Sequence, residues 1–168
     1  MISFKQFLLN EDTQLDEVFS AAPSSTRDAD MEEFAKKMVP PGTIRDVEIH
    51  KVDGMMDNHR VMSFTNHNDE REHHIMTTDN QHGRLDSGDI SPMNSLAAYG
   101  HIVHKTRESL ANGQSTRFQV REPRQYDMYH KAVTRMVARN GGNASVHELG
   151  KQPTAQGFRM PTFVVEPH

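Results

Sequence analysis

An α+β fold is the expectation for this chain: a mixed, mainly antiparallel sheet flanked by helices. Three patterns lead to it. Apolar residues recur at helical spacing in some segments and alternate strictly in others. Gly, Pro, Asn and Asp punctuate the intervals between them. Finally, the helical and extended segments interleave, in the order α-α-β-β-β-α-β-α-β-β.

The elements follow from their residues. Phe4, Phe7 and Leu8 form a short apolar stripe, and Leu15, Val18, Phe19 and Ala22 repeat the spacing until Pro23-Ser24-Ser25-Thr26 interrupts it. In the next helix Asp28, Asp30, Glu32 and Glu33 come first and Lys36 and Lys37 last, which suits the helix dipole, and Pro40-Pro41-Gly42 ends it. Strands are expected at 44–52, 59–65 and 73–78, joined by hairpin turns into a meander. Residues 79–90 read as a polar connection. Ser91-Pro92 then opens a helix over 92–112 whose buried face would be Met93, Leu96, Ala97, Gly100, Val103 and Leu110. A short strand is expected at 117–121. Pro123 opens the most regular helix, with Tyr129, Ala132, Val133, Met136 and Val137 on one face and Gly141-Gly142 as its stop. Strands at 144–149 and 162–165 form a final antiparallel arm.

Composition narrows the function classes. At 168 residues the chain suits one domain, drawn here as 23–168 behind an amphipathic segment at 1–22. Apolar residues are 35%, below the usual ~45–50%, so the core should be small. Without cysteine there is no disulfide, thiolate metal site or thiol nucleophile. A net charge of −4 with mixed signs makes nucleic acid an unlikely partner. Only residues 105–139 are basic, including Lys105, Arg107, Arg117 and Arg121. These read as solvated helix faces, with room for a local anion site. No run of ~20 apolar residues exists to cross a membrane.

Two resemblances add to this. Residues 1–11, with Phe4, Phe7, Leu8 and Glu11, resemble the leaders of proteins from large contractile-tailed bacteriophages. In that family such leaders direct some proteins into the prohead and are cut after the Glu. The resemblance implies a phage protein, found in the host cytoplasm during infection and in the virion, with a phage structural or host protein as partner. The element order, together with Arg124, Tyr129, Arg135, Arg139 and Gly141 in register, resembles the GNAT acetyltransferase fold and the small GNAT-like proteins of tailed phages. Membership would imply acetyl-CoA as cofactor, a pyrophosphate loop containing Arg84, Gly88 and Ser91, and Tyr129 as the acid that protonates the leaving thiolate. The general base would come from Glu70, Glu72 or His73. The loop departs from the family pattern: Arg84 and Gly88 are one residue too far apart, and Asp86 and Asp89 put negative charge beside the pyrophosphate.

Eleven histidines raise the question of metal binding, and His101 and His104 stand at i, i+3 on a helix. No carboxylate sits at a familiar ligand spacing, and His73 and His74 should point to opposite faces of their strand, so no metal site is expected. The leading expectation is a phage virion or packaged protein with a degenerate GNAT-like domain that binds no cofactor and acts by protein interaction. The alternatives are an acetyl-CoA-dependent N-acetyltransferase and a small anti-host binding protein.

Overall fold

The computed structural model describes residues 22–79, 84–86, 92–154 and 157–168. Within them the chain is α+β. In order it forms β1 (Ser25–Arg27), α1 (Ala29–Met38), β2 (Arg45–Val52), β3 (His59–Thr65), β4 (Arg71–Asp79), β5 (Arg84–Asp86), α2 (Pro92–Ala111), β6 (Thr116–Gln119), α3 (Pro123–Arg139), β7 (Ala144–Pro153) and β8 (Arg159–Pro167). The expected helical segments before Pro23 lie outside the described residues. Among those residues no helix is long and apolar enough to cross a membrane.

The strands run β1-β2-β3-β4-β6-β8-β7 across one sheet, with β5 paired to β4 off that path. Neighbours are antiparallel except β4 and β6, which pair in parallel through Arg71↔Thr116 and Glu72↔Arg117. A parallel pair needs a crossover, and α2 lies in the connection. Beyond Glu72, β4 leaves β6, and its far end pairs instead with β5 through Thr77↔Asp86, Thr78↔Leu85 and Asp79↔Arg84.

Two short strands correct the sequence reading. β1 stands where 23–26 looked only like an interruption, and β5 stands inside the supposed polar connection. Neither carries an alternating apolar pattern. Each instead extends the sheet by pairing with a strand already formed, β2 for β1 and β4 for β5.

Alternation divides the core between two faces. On one, Val52 and Val61 pack with Tyr99 and Ile102 of α2, Tyr129 and Val133 of α3, and Phe118 and Phe163. On the other, Ile49 and Met62 pack with Ala35 of α1 and Val47. Asp28 caps α1 by accepting from the Met31 amide at 3.1 Å. Glu122 caps α3 through the Gln125 amide at 2.9 Å, with Pro123 in the first turn.

The expected buried face of α2 is met at Gly100 and Val103 and otherwise rotated, with the Met93 side chain outside the described residues. Ala98, Tyr99, Ile102 and Val103 form its centre, while Leu96, Ala97 and Leu110 border the core. His101, Thr106 and Ser109 complete the buried face. Thr106 and Ser109 satisfy their hydroxyls on the Ile102 and Lys105 carbonyls at 2.8 and 3.0 Å, so they are buried without a stranded polar group. A search for apolar periodicity passes over a face built this way.

Candidate functional site

The β2–β3 register slips between Arg45 and Glu48, and within that bulge Asp46 adopts φ +53°. A bulge of this kind bends the strand and re-aims its side chains. Here it forms one side of a pocket of about 620 Å³ between the sheet and the C-terminal half of α2. Glu48, Thr65, Arg71 and His73 line it from the sheet, Lys105, Glu108 and Ser109 from α2, and Gln114 from the segment that follows.

Arg71 organises the floor. Its guanidinium donates to Glu48 Oε2 at 2.9 Å, to the Asp46 carbonyl at 2.6 Å and to Thr65 Oγ1 at 3.3 Å. One buried cation therefore holds the bulge carbonyl, a carboxylate and a neighbouring strand together. Gln114 Nε2 donates to the same Thr65 hydroxyl at 3.2 Å. Across the pocket, Lys105 pairs with Glu108 at 3.1 Å.

Three imidazoles lie along this interface. His73 Nδ1 is 2.7 Å from Ser63 Oγ. The rings of His50 on β2 and His101 on α2 meet with centroids 4.9 Å apart. His73 Nε2, His50 Nδ1 and His101 Nε2 are buried without a hydrogen-bond partner among the described residues. Burial, reinforced by nearby positive charge, lowers the pKa of each: Lys105 acts on His50, Arg71 on His73, and His50 with Lys105 on His101, which falls to about 4. All three are neutral at pH 7.

Residues singled out by sequence are dispersed. Tyr129 is 5% exposed, with its ring 5.0 Å from Tyr99 and 5.4 Å from Phe118, and burial raises its phenol well above the usual value. It belongs to the core cluster and does not line the pocket. Glu72 and His73, adjacent on β4, face opposite sides of the sheet. Burial of Glu72 alone would raise its carboxyl, but hydrogen bonds from His74 at 3.2 Å and Asn66 at 2.9 Å outweigh it and hold the carboxyl below its ordinary value. Glu70 sits 3.7 Å from Arg117. His101 and His104 do not act as a pair: His101 is 2% exposed and meets His50, whereas His104, 28% exposed, meets Glu108 at 3.1 Å. Among the described residues no three His, Asp or Glu side chains are placed to hold a metal ion. Arg84 begins β5 opposite Asp79. Gly88, Ser91, Phe4, Phe7, Leu8 and Glu11 lie outside the described residues.

Sequence reasoning noticed His73 and Lys105 separately but not the pocket that brings them near Arg71, nor the packing of His101 on His50. The available signal was that polar residues recur on one face of β4, where Arg71 and His73 alternate with Glu72 and His74. Set against known protein families, curated proteins and solved structures, the chain matches none of them.

Proposed function

We propose that the chain is a phage-encoded, virion-associated or capsid-packaged protein whose GNAT-like domain acts by protein interaction rather than acyl transfer. The observation that carries this reading is β5. In a GNAT-like acetyltransferase the stretch before α2 would offer free backbone amides to a pyrophosphate. Here Arg84, Leu85 and Asp86 pair with Asp79, Thr78 and Thr77 of β4. The Arg84 and Asp86 amides are thereby turned toward β4, and only Leu85, opposite Thr78 whose amide donates to the Asn58 carbonyl at 2.7 Å, faces away from it. The departures at Arg84, Asp86 and Gly88 point the same way.

The opposite end of the sheet supports an interaction role. β7, ten residues long, pairs only with β8 among the described residues, and most of it is exposed. Leu149 is 42% exposed and Phe158, near the β7–β8 turn, is 68% exposed. An open edge beside exposed apolar side chains suits an extended segment of a partner protein. The leader resemblance, through Phe4, Phe7, Leu8 and Glu11, favours a phage structural protein as that partner. Mass spectrometry of purified particles tests the reading. The expected result is this chain in the particle, either cut after Glu11 or intact; its confinement to infected-cell cytosol would contradict it.

A second reading, an acetyl-CoA-dependent N-acetyltransferase, is favoured by the parting of β4 from β6 after two paired residues, with Tyr129 packed on Phe118 of β6. Ligands in sheets with parallel strands commonly bind where such strands diverge. This reading requires Tyr129→Phe to slow turnover while leaving the melting temperature near that of the wild type.

A further inference from the structure

The pocket between α2 and the sheet, at about 620 Å³, lies within the ~300–1,000 Å³ range of small-ligand sites. Its two inner cations have different freedom. Arg71 is fixed by Glu48, the Asp46 carbonyl and Thr65. Lys105 is held by Glu108, whose side chain is 48% exposed, and a partly exposed pair of that kind is weak and easily exchanged. Lys105 is therefore available to a ligand, while Arg71 provides a preorganised positive floor.

His73 supplies the third element. Ser63, fully buried, has His73 Nδ1 as its hydroxyl partner at 2.7 Å. With no other acceptor for Ser63 among the described residues, the hydroxyl donates to Nδ1, and the neutral ring carries its proton on Nε2. That Nε2–H is buried and has no acceptor among the described residues, a condition that asks for an explanation. Arg71, Lys105 and His73 thus line one cavity, and the buried His73 Nε2–H is a donor without a partner among the described residues.

We propose that this pocket binds a compact oxyanion, the phosphate or carboxylate of a small polar molecule, between Lys105 and Arg71 and above His73. Three carboxylates also line the pocket, and each keeps a partner when Lys105 turns to a ligand: Asp46 lies 3.6 Å from Arg45, Glu108 lies 3.1 Å from His104, and Glu48 is held by Arg71. Glu48 is engaged by Arg71 at 2.9 Å and lies 3.9 Å from Arg27. The carbonyl end of α2 is closed by the Asn112, Gly113 and Gln114 amides, which donate to Glu108, Leu110 and Ser109 at 3.1, 3.0 and 2.9 Å. The site is independent of the acyl-transfer question, because it lies at the C-terminal half of α2, whereas a pyrophosphate loop would precede Pro92.

The test is NMR of the full ¹⁵N-labelled chain, following the His73 imidazole while sodium phosphate or sodium malonate is added at constant ionic strength. The expected result is a saturable response with a Kd of about 1 mM or tighter. Lys105→Gln should weaken it by at least about tenfold, whereas Lys105→Arg should retain it. Lys105→Met, which keeps the aliphatic stem, replaces Lys105→Gln if that variant is unfolded. Saturation by phosphate alone assigns a phosphate ligand, and saturation by malonate alone a carboxylate. No saturation up to about 100 mM of either, or a response unchanged in folded Lys105→Gln or Lys105→Met, overturns the proposal.

Discussion

Arg71 does more to hold the described structure than its place at the start of a strand suggests. Its side chain is 10% exposed and reaches Glu48, Asp46 and Thr65, so truncation would leave a carboxylate and a strained carbonyl without a donor. Arg71→Ala should therefore cost about 2–4 kcal/mol in urea unfolding, well above the cost of Arg27→Ala, whose side chain is 54% exposed. A difference of less than about 1 kcal/mol between the two would show that the guanidinium is not what secures the bulge. The imidazoles set the pH dependence. Their folded pKa values lie below the unfolded value near 6.5, so the fold favours the neutral rings. Their contribution is complete above pH ~6.5 and is lost as pH falls toward the folded values, near 4 for His101. Stability should thus decline between pH 6.5 and 4.5, before most carboxylates titrate, and His101→Leu should flatten that decline. An unchanged slope would place the dependence elsewhere.

Individual elements were legible to the degree that their cause was local. β3 ends where the sequence placed it, and α3 runs from its proline to its glycines, because alternation, caps and stops are written in adjacent residues. β1 and β5 were missed because Ser-Thr-Arg and Arg-Leu-Asp gain their extended form from the strand beside them. The site was hidden for a related reason. His50, His73 and His101 are far apart in sequence, and only the packing of α2 on the sheet brings them together. That packing depends on Gly54, at φ +95° in the β2–β3 turn, where a Cβ would meet the Ala97 Cβ at 3.2 Å. Gly142, at φ +69°, has no such neighbour. Gly54→Ala should therefore lower stability by about 1–3 kcal/mol and by more than Gly142→Ala, because it adds a close approach to the same backbone strain. Thermal melts of the two variants decide this, and equal losses would mean that the turn yields without moving α2.

At the scale of the whole molecule, the sheet formed by the described residues combines one parallel pair, a short strand that pairs with β4 beyond β6, and a β7 edge with no further strand beside it among those residues. The reading proposed above takes this arrangement as a GNAT-like frame put to another use. If the interaction reading holds, an Arg or Lys at Leu149 should reduce association with the particle without altering the melting temperature, since Leu149 is exposed on the outermost strand. What separates the two readings is whether the pairing of Arg84–Asp86 with β4 excludes a cofactor pyrophosphate. Calorimetric titration of acetyl-CoA into the full chain, with CoA alone as control, tests that most directly. No heat of binding up to about 1 mM is the expected result, whereas saturation at about 10 μM or below would show that β5 yields to the cofactor and that the protein is built for acyl transfer.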